Sequence, residues 1–179
     1  MIYLLAGHHN ADPGAIGSGY KEADLNKKIR AAVAKELDAL GCNYILDKDS
    51  ETLNQLLGRI KPGSGSVLKD IHWNASDNAK ATGVEVFVAD NANKDSIAFA
   101  NELLTATVKL TGLTSRGVKT EKQSARKQLA VLRTKAGIAA LLEIGFISNK
   151  KDVEAVLNVL PQLAKEYAKI LKKYEDLRI

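Results

Sequence analysis

Short apolar runs alternate along the chain with longer stretches whose apolar positions recur every three or four residues. Residues 1–6 (MIYLLA), 43–46 (NYIL), 66–71 (SVLKDI), 84–89 (VEVFVA) and 138–142 (IAALL) are of strand length and are bounded by turn-forming residues, which predicts five strands. Between them, Leu25, Ile29, Val33, Leu37 and Leu40 form one stripe at helical spacing that Gly41 stops, and Leu53, Leu56, Leu57 and Ile60 form a shorter one closed by Pro62 and Gly63. Helices are likewise expected over 94–110, ahead of Gly112, and over 150–157 and 161–177, the last opened by a first-turn proline. Strands alternating with helices predict an α/β fold, a single three-layer domain with a mostly parallel twisted sheet covered by helices on both faces.

Composition narrows the picture. A chain of 179 residues with 45% hydrophobic content can bury one sizeable core, and the KPGSGS segment at 61–66 is too short to link two domains, so residues 1–179 are read as one domain with no separate wall-binding module. The net charge of +5 is spread over 26 basic and 21 acidic residues, and aromatics are only 5%, which argues against a nucleic-acid surface. Cys42 is alone, so no disulfide framework exists and a buried thiol is expected. The start lacks a basic leader and no apolar stretch approaches a membrane span, so synthesis in the cytoplasm without a signal peptide, no membrane insertion and a monomeric state are expected. Lys165, Lys169, Lys172 and Lys173 form a solvated face of the last helix, opposite Leu163, Tyr167, Ile170 and Leu171.

Candidate chemistry sits at or just past the apolar runs. His8, Glu22, His72 and Glu143 lie there, and open α/β sheets place their chemistry at the carboxyl ends of strands. A catalytic zinc takes three ligands from His, Glu and Asp and leaves a position for water, so His8, Glu22 and His72 form a plausible set with Glu143 left for proton transfer. Singly, each has a plainer reading: His72 as a hydrogen-bonded histidine of the sheet, Glu22 as an acid in the first turn of a helix. Glu143 is harder to explain so, because ALLEIGF places a carboxylate directly after four apolar residues, where it needs a cation nearby.

GHHNADPGAIG, KEADLN, IHWNA, GVEVF, RGVK and LLEIGFISN, in that order over nearly the whole chain, resemble the zinc-dependent N-acetylmuramoyl-L-alanine amidases of the type-3 class. The resemblance implies a phosphorylase/hydrolase-like fold, one catalytic Zn2+ on His8, Glu22 and His72, Glu143 as the catalytic glutamate, and peptidoglycan as substrate. It also implies supporting roles for Asp12 in the first loop and Asn74 beside the second histidine, and it leaves His9 as a loop residue and not a ligand. Some positions depart from the family pattern: Asp70 stands where a serine is common, Lys69 interrupts an apolar strand, Asp47-Lys48-Asp49 replaces an expected arginine, and Ile138 an expected proline. A strand carrying Lys69 and Asp70 is expected to be less well buried. The stretch 116–133 is too short to plug a cleft before Glu143, so an open site is expected, either in a phage lysis enzyme released through a host pore or in a bacterial autolysin. A zinc peptidase of carboxypeptidase-like type and a non-catalytic wall-binding module are the competing readings, the first needing a cation such as Arg116, Arg126 or Arg133 to hold a terminal carboxylate.

Overall fold

The computed structural model describes residues 1–177. Its main sheet has the order β4-β1-β5-β8-β6-β7, in which β1 (Ile2–Ala6), β4 (Tyr44–Leu46), β5 (Val67–Asn74) and β8 (Ile138–Phe146) are mutually parallel. β6 (Val84–Val88) runs antiparallel to β8 and parallel to β7 (Ser115–Thr120), so the sheet is mixed but mostly parallel, as the alternation of elements predicts. A two-residue hairpin, β2 (Ile16–Gly17) with β3 (Tyr20–Lys21), follows β1 and leads into α1 (Glu22–Ala39).

Alternation along the strands divides the core in two. Ile2 and Leu4, Val67 and Ile71, Val84 and Val86, and Ile138, Ala140 and Leu142 face a thick layer formed by α1, α3 (Lys94–Thr111), α4 (Lys150–Asn158) and α5 (Leu160–Asp176). Tyr3, Leu5, Leu68, Phe87, Ala139 and Leu141 face a thin layer, where the short helix α2 (Leu53–Arg59) and a 3-10 turn over Ala130–Arg133 contribute Leu56, Val131 and Leu132. Both faces are covered, but unequally. The thin layer leaves the carboxyl-end half of its face for polar groups.

Three sequence expectations change. The apolar pattern ends β5 at Ile71 and β8 at Leu142, yet the ladders continue to Asn74 and Phe146, so His72 and Glu143 lie within paired strands and not beyond them. The pattern fails there because one face of each strand turns polar where it lines the site, while Trp73, Ile144 and Phe146 stay buried. β7 has no apolar run because it is an edge strand whose residues are exposed or half-buried. Cys42 is half-buried and not interior, since it precedes the opposite edge strand β4.

Lys69 and Asp70 correct the expectation of a poorly buried strand, being 0% and 3% exposed. Lys69 points into the thick layer, where its ammonium lies 3.7 Å from the centroid of the Tyr167 ring and its Nζ has no hydrogen-bond partner among the described residues. Burial pushes its pKa down from 10.5 to about 7, and the neighbouring Asp70 charge opposes the shift only in part. Between those two values the unfolded chain binds a proton that the folded chain does not, so stability rises as pH rises from about 7 to 10.5 and the cost of the charged form is full below about 7. Lys69→Met is therefore expected to stabilise the fold by roughly 2–4 kcal/mol at pH 6, with the gap narrowing at alkaline pH. Urea unfolding of both proteins at pH 6 and pH 9.5 checks this, and a gap that does not change with pH would show that Lys69 keeps an ordinary pKa.

Candidate metal centre

Chain entry into the site depends on two glycines. Gly7 continues from β1, and a Cβ there would lie 2.1 Å from Cε1 of His72, so only glycine lets the imidazole from β5 rest against the backbone at the end of β1. His8 follows in the left-handed region at φ 70°, which turns its side chain back over the sheet, and the small loop is closed by mutual backbone hydrogen bonds between His9 and Asp12. Gly14, at φ 66°, leaves room for His8 and Glu22 together, since a Cβ would come within 2.6 Å of the first and 2.7 Å of the second.

Glu22 is the first residue of α1, and its carboxylate is held from both sides. Oε2 accepts the Ala15 N–H at 3.0 Å, and Oε1 accepts the Trp73 N–H at 3.0 Å. The same two oxygens meet His8 Nε2 at 3.1 Å and His72 Nδ1 at 3.0 Å. Donor atoms of His8, Glu22 and His72 all lie within 4.8 Å of one another, and the two imidazole rings stand edge to face at 5.1 Å. Each histidine turns its other nitrogen to an outer acid: His8 Nδ1 to Asp12 at 2.9 Å and His72 Nε2 to Asp70 at 3.2 Å.

The charges follow from this packing. Burial would raise the Glu22 pKa, but hydrogen bonds and charge from His72 and His8 hold it far below the usual carboxylate range. Burial would depress both histidines, yet His8 is raised by Glu22 and Asp12, and His72 is raised well above 6.5 by Asp70 and Glu22. The imidazole nitrogens that a dication would need, His8 Nε2 and His72 Nδ1, both face the Glu22 carboxylate. This donor set of one carboxylate and two imidazoles suits a zinc-type ion and leaves a coordination position for water.

Glu143 lies on the same face, opposite His72 in the β5–β8 ladder and opposite Glu85 across β6. Its Oε2 is buried with no hydrogen-bond partner among the described residues, and burial pushes its pKa up from 4.5 to about 7, with His72 opposing and the acids Glu22, Glu85 and Asp70 adding to the shift. Glu85 is instead fully paired, accepting from Asn74 Nδ2 at 2.8 Å, Arg116 Nε at 3.1 Å and Lys119 Nζ at 2.5 Å.

Of the residues singled out in the sequence, His8, Glu22 and His72 converge, Glu143 lies beside His72 and Asp12 braces His8. Asn74 reaches Glu85 and not the three-donor group, and His9 turns to the Ala11 N–H, away from it. Glu85 and Lys119 were legible only as parts of the GVEVF and RGVK motifs; a carboxylate among alternating buried valines was the available signal for Glu85. Of the three arginines considered as carboxylate holders, Arg116 belongs to this cluster, whereas Arg133 pairs with Glu121 on the thin layer. Where an arginine is expected after the second strand, the acids that stand there meet an arginine from α1. Arg30 binds Asp47 Oδ1 at 2.7 Å and Asp49 Oδ1 at 2.5 Å, and Asp47 in turn accepts the Ala6 N–H at the end of β1.

Comparison with known proteins agrees with this architecture. The N-acetylmuramoyl-L-alanine amidase LytC of Bacillus subtilis is 27% identical over 155 residues, covering 84% of this chain and 30% of LytC. The endolysin of Bacillus phage SPP1 is 27% identical over 162 residues, 85% of this chain and 56% of that protein, so the chain spans about half or less of these two relatives. Among solved structures, that of the putative N-acetylmuramoyl-L-alanine amidase from Neisseria meningitidis superposes with a TM-score of 0.75 at 28% identity, covering 96% of this chain and 94% of that one. The family model described as N-acetylmuramoyl-L-alanine amidase matches residues 2–173, and the chain belongs to that family.

Proposed function

We propose that this chain hydrolyses the amide between N-acetylmuramic acid and L-alanine in peptidoglycan, with a zinc ion held by His8, Glu22 and His72 and with Glu143 as the catalytic base and acid. The observation that supports it is the convergence of three donors within 4.8 Å beside a carboxylate whose Oε2 has no hydrogen-bond partner among the described residues. When bound, zinc polarises the scissile carbonyl and makes water a nucleophile near neutral pH.

The chain's own groups account for the rest. Glu143 takes a proton at Oε2 from the attacking water and gives it to the leaving nitrogen, so the C–N bond breaks to a lactyl carboxylate and a free L-alanine amine. Its raised pKa suits both halves of that transfer. Glu85, clamped by Arg116, Lys119 and Asn74, keeps its charge and helps hold Glu143 in the range where it can exchange a proton. Access is from solvent: between β7 and β8 the chain makes two short 3-10 turns, and the side chains of His8 and His72 are 13% and 21% exposed. The substrate is a component of the cell wall, whether the setting is a lysis enzyme or a wall-remodelling one.

Incubation with peptidoglycan is expected to release peptides with new L-alanine amines and no new reducing sugar ends, with activity lost to chelator and restored by zinc. Glu143→Ala should lower kcat by about 10²–10⁴-fold while zinc content stays at one ion per chain. A zinc-loaded wild type that frees no such amine from any wall tested would sink the amidase reading.

The pH profile carries a second test. Glu143 must be ionised to accept the proton, so kcat/KM is expected to fall as pH drops. The midpoint should lie between the ordinary 4.5 and about 7, because a bound dication lowers the carboxyl pKa below its metal-free value. A profile flat down to pH 4.5, measured with zinc in excess, would rule out Glu143 as the proton acceptor.

A further inference from the structure

We propose that Asp70 is a positioning residue for the metal, a buried carboxylate that fixes the His72 ring with Nδ1 toward Glu22 and so tightens metal binding beyond what a hydroxyl at this position gives. This rests on the zinc reading of His8, Glu22 and His72.

Strand alternation places Asp70 and His72 two residues apart on the same face of β5, and Asp70 Oδ2 lies 3.2 Å from His72 Nε2. The other oxygen of Asp70 accepts the Ile71 N–H at 3.0 Å, so the carboxylate is anchored by its own strand. Ile71 N–H and His72 are its only hydrogen-bond partners among the described residues, so apart from His72 it joins no other element of the fold. On its other side the ring rests on Gly7, where a Cβ would lie 2.2 Å from Nε2. With Gly7, Asp70 and Glu22 around it, the imidazole has one defined orientation.

The chemistry of a metal-bound imidazole then gives Asp70 its role. When Nδ1 donates its lone pair to a cation, Nε2 must carry the proton, and an acceptor there fixes that tautomer and makes the ligating nitrogen more basic. Asp12 stands in the same relation to His8, but its side chain is 52% exposed against 5% for Asp70, so solvent and salt screen it far more.

The test is zinc affinity, measured by competition with a chromophoric chelator on the whole chain, for wild type, Asp70→Ser and Asp70→Asn, with circular dichroism of each metal-free protein as the check on folding. Asp70→Ser is expected to bind zinc about 10–100-fold more weakly. Asp70→Asn keeps an oxygen that can accept the Nε2–H and should recover most of that loss, and the visible spectrum of its cobalt(II) form should match wild type where that of Asp70→Ser does not. Equal affinities for all three folded proteins would overturn the proposal and leave the amidase reading intact. Loss in Asp70→Asn as large as in Asp70→Ser would overturn it too, by showing that the charge matters and the acceptor does not. A wild type that binds no zinc would overturn both readings together.

Discussion

One buried carboxylate organises this end of the molecule. Glu22 receives backbone N–H groups from the loop after β1 and from β5, and imidazoles from both. It therefore ties two segments, the loop after β1 and the distant strand β5, to the start of α1. A carboxylate so far from water is tolerable only because four donors face it, and removing any of them leaves charge uncompensated. The glycines at 7 and 14 serve the same knot: each occupies a place where a methyl group would collide with a side chain that Glu22 holds.

Around that knot the thin-layer face of the sheet carries acids at Asp70, Glu85 and Glu143 on three adjacent strands. Two are supplied with partners. Of the three, Glu143 keeps a buried oxygen with no hydrogen-bond partner among the described residues, and burial, with the neighbouring acids adding to it, pushes its pKa upward where hydrogen-bond donors would have pulled it down. Folding gains nothing from that arrangement, since a buried, unpaired carboxylate opposes stability. A proton carrier needs it, because a fully paired carboxylate such as Glu85 is lowered below 4.5 and is a poor acceptor near neutrality.

How much of this could be read from residues alone depended on periodicity. Five strands and five helices were legible because their apolar positions fall on one face, and Gly41, Pro62 and Gly112 mark where elements end. β7 was invisible because an edge strand with residues such as Ser115, Arg116 and Lys119 carries no apolar run. The ends of β5 and β8 were misjudged for the opposite reason: their ladders persist while one face turns polar, and hydrophobicity cannot report hydrogen bonds. At the site, residue type and order singled out His8, Glu22, His72 and Glu143, while Glu85 needed the register between strands, which no single segment contains, and Asp70 needed β5 to be known to run past Ile71.

Apart from Ile138, which pairs with Val67 at the start of β8, the positions where the chain departs from the family pattern turn out to be neighbours in space. Asp70 lies against His72; its charge is felt by Asp47 and by Lys69 behind it, and Asp47 is bound by Arg30, which also holds Asp49. Read one at a time, a lysine in a strand, an acid for a serine and an aspartate for an arginine look like erosion of a site. Taken as a connected set, they are a relocation of charge. The acid at Asp47 is balanced by a guanidinium arriving from α1, and it uses its own carboxylate to cap the Ala6 N–H just before the turn to His8. Of these, Asp47 depends most directly on its partner, since removing Arg30 would leave its buried carboxylate without a cation just before the turn to His8.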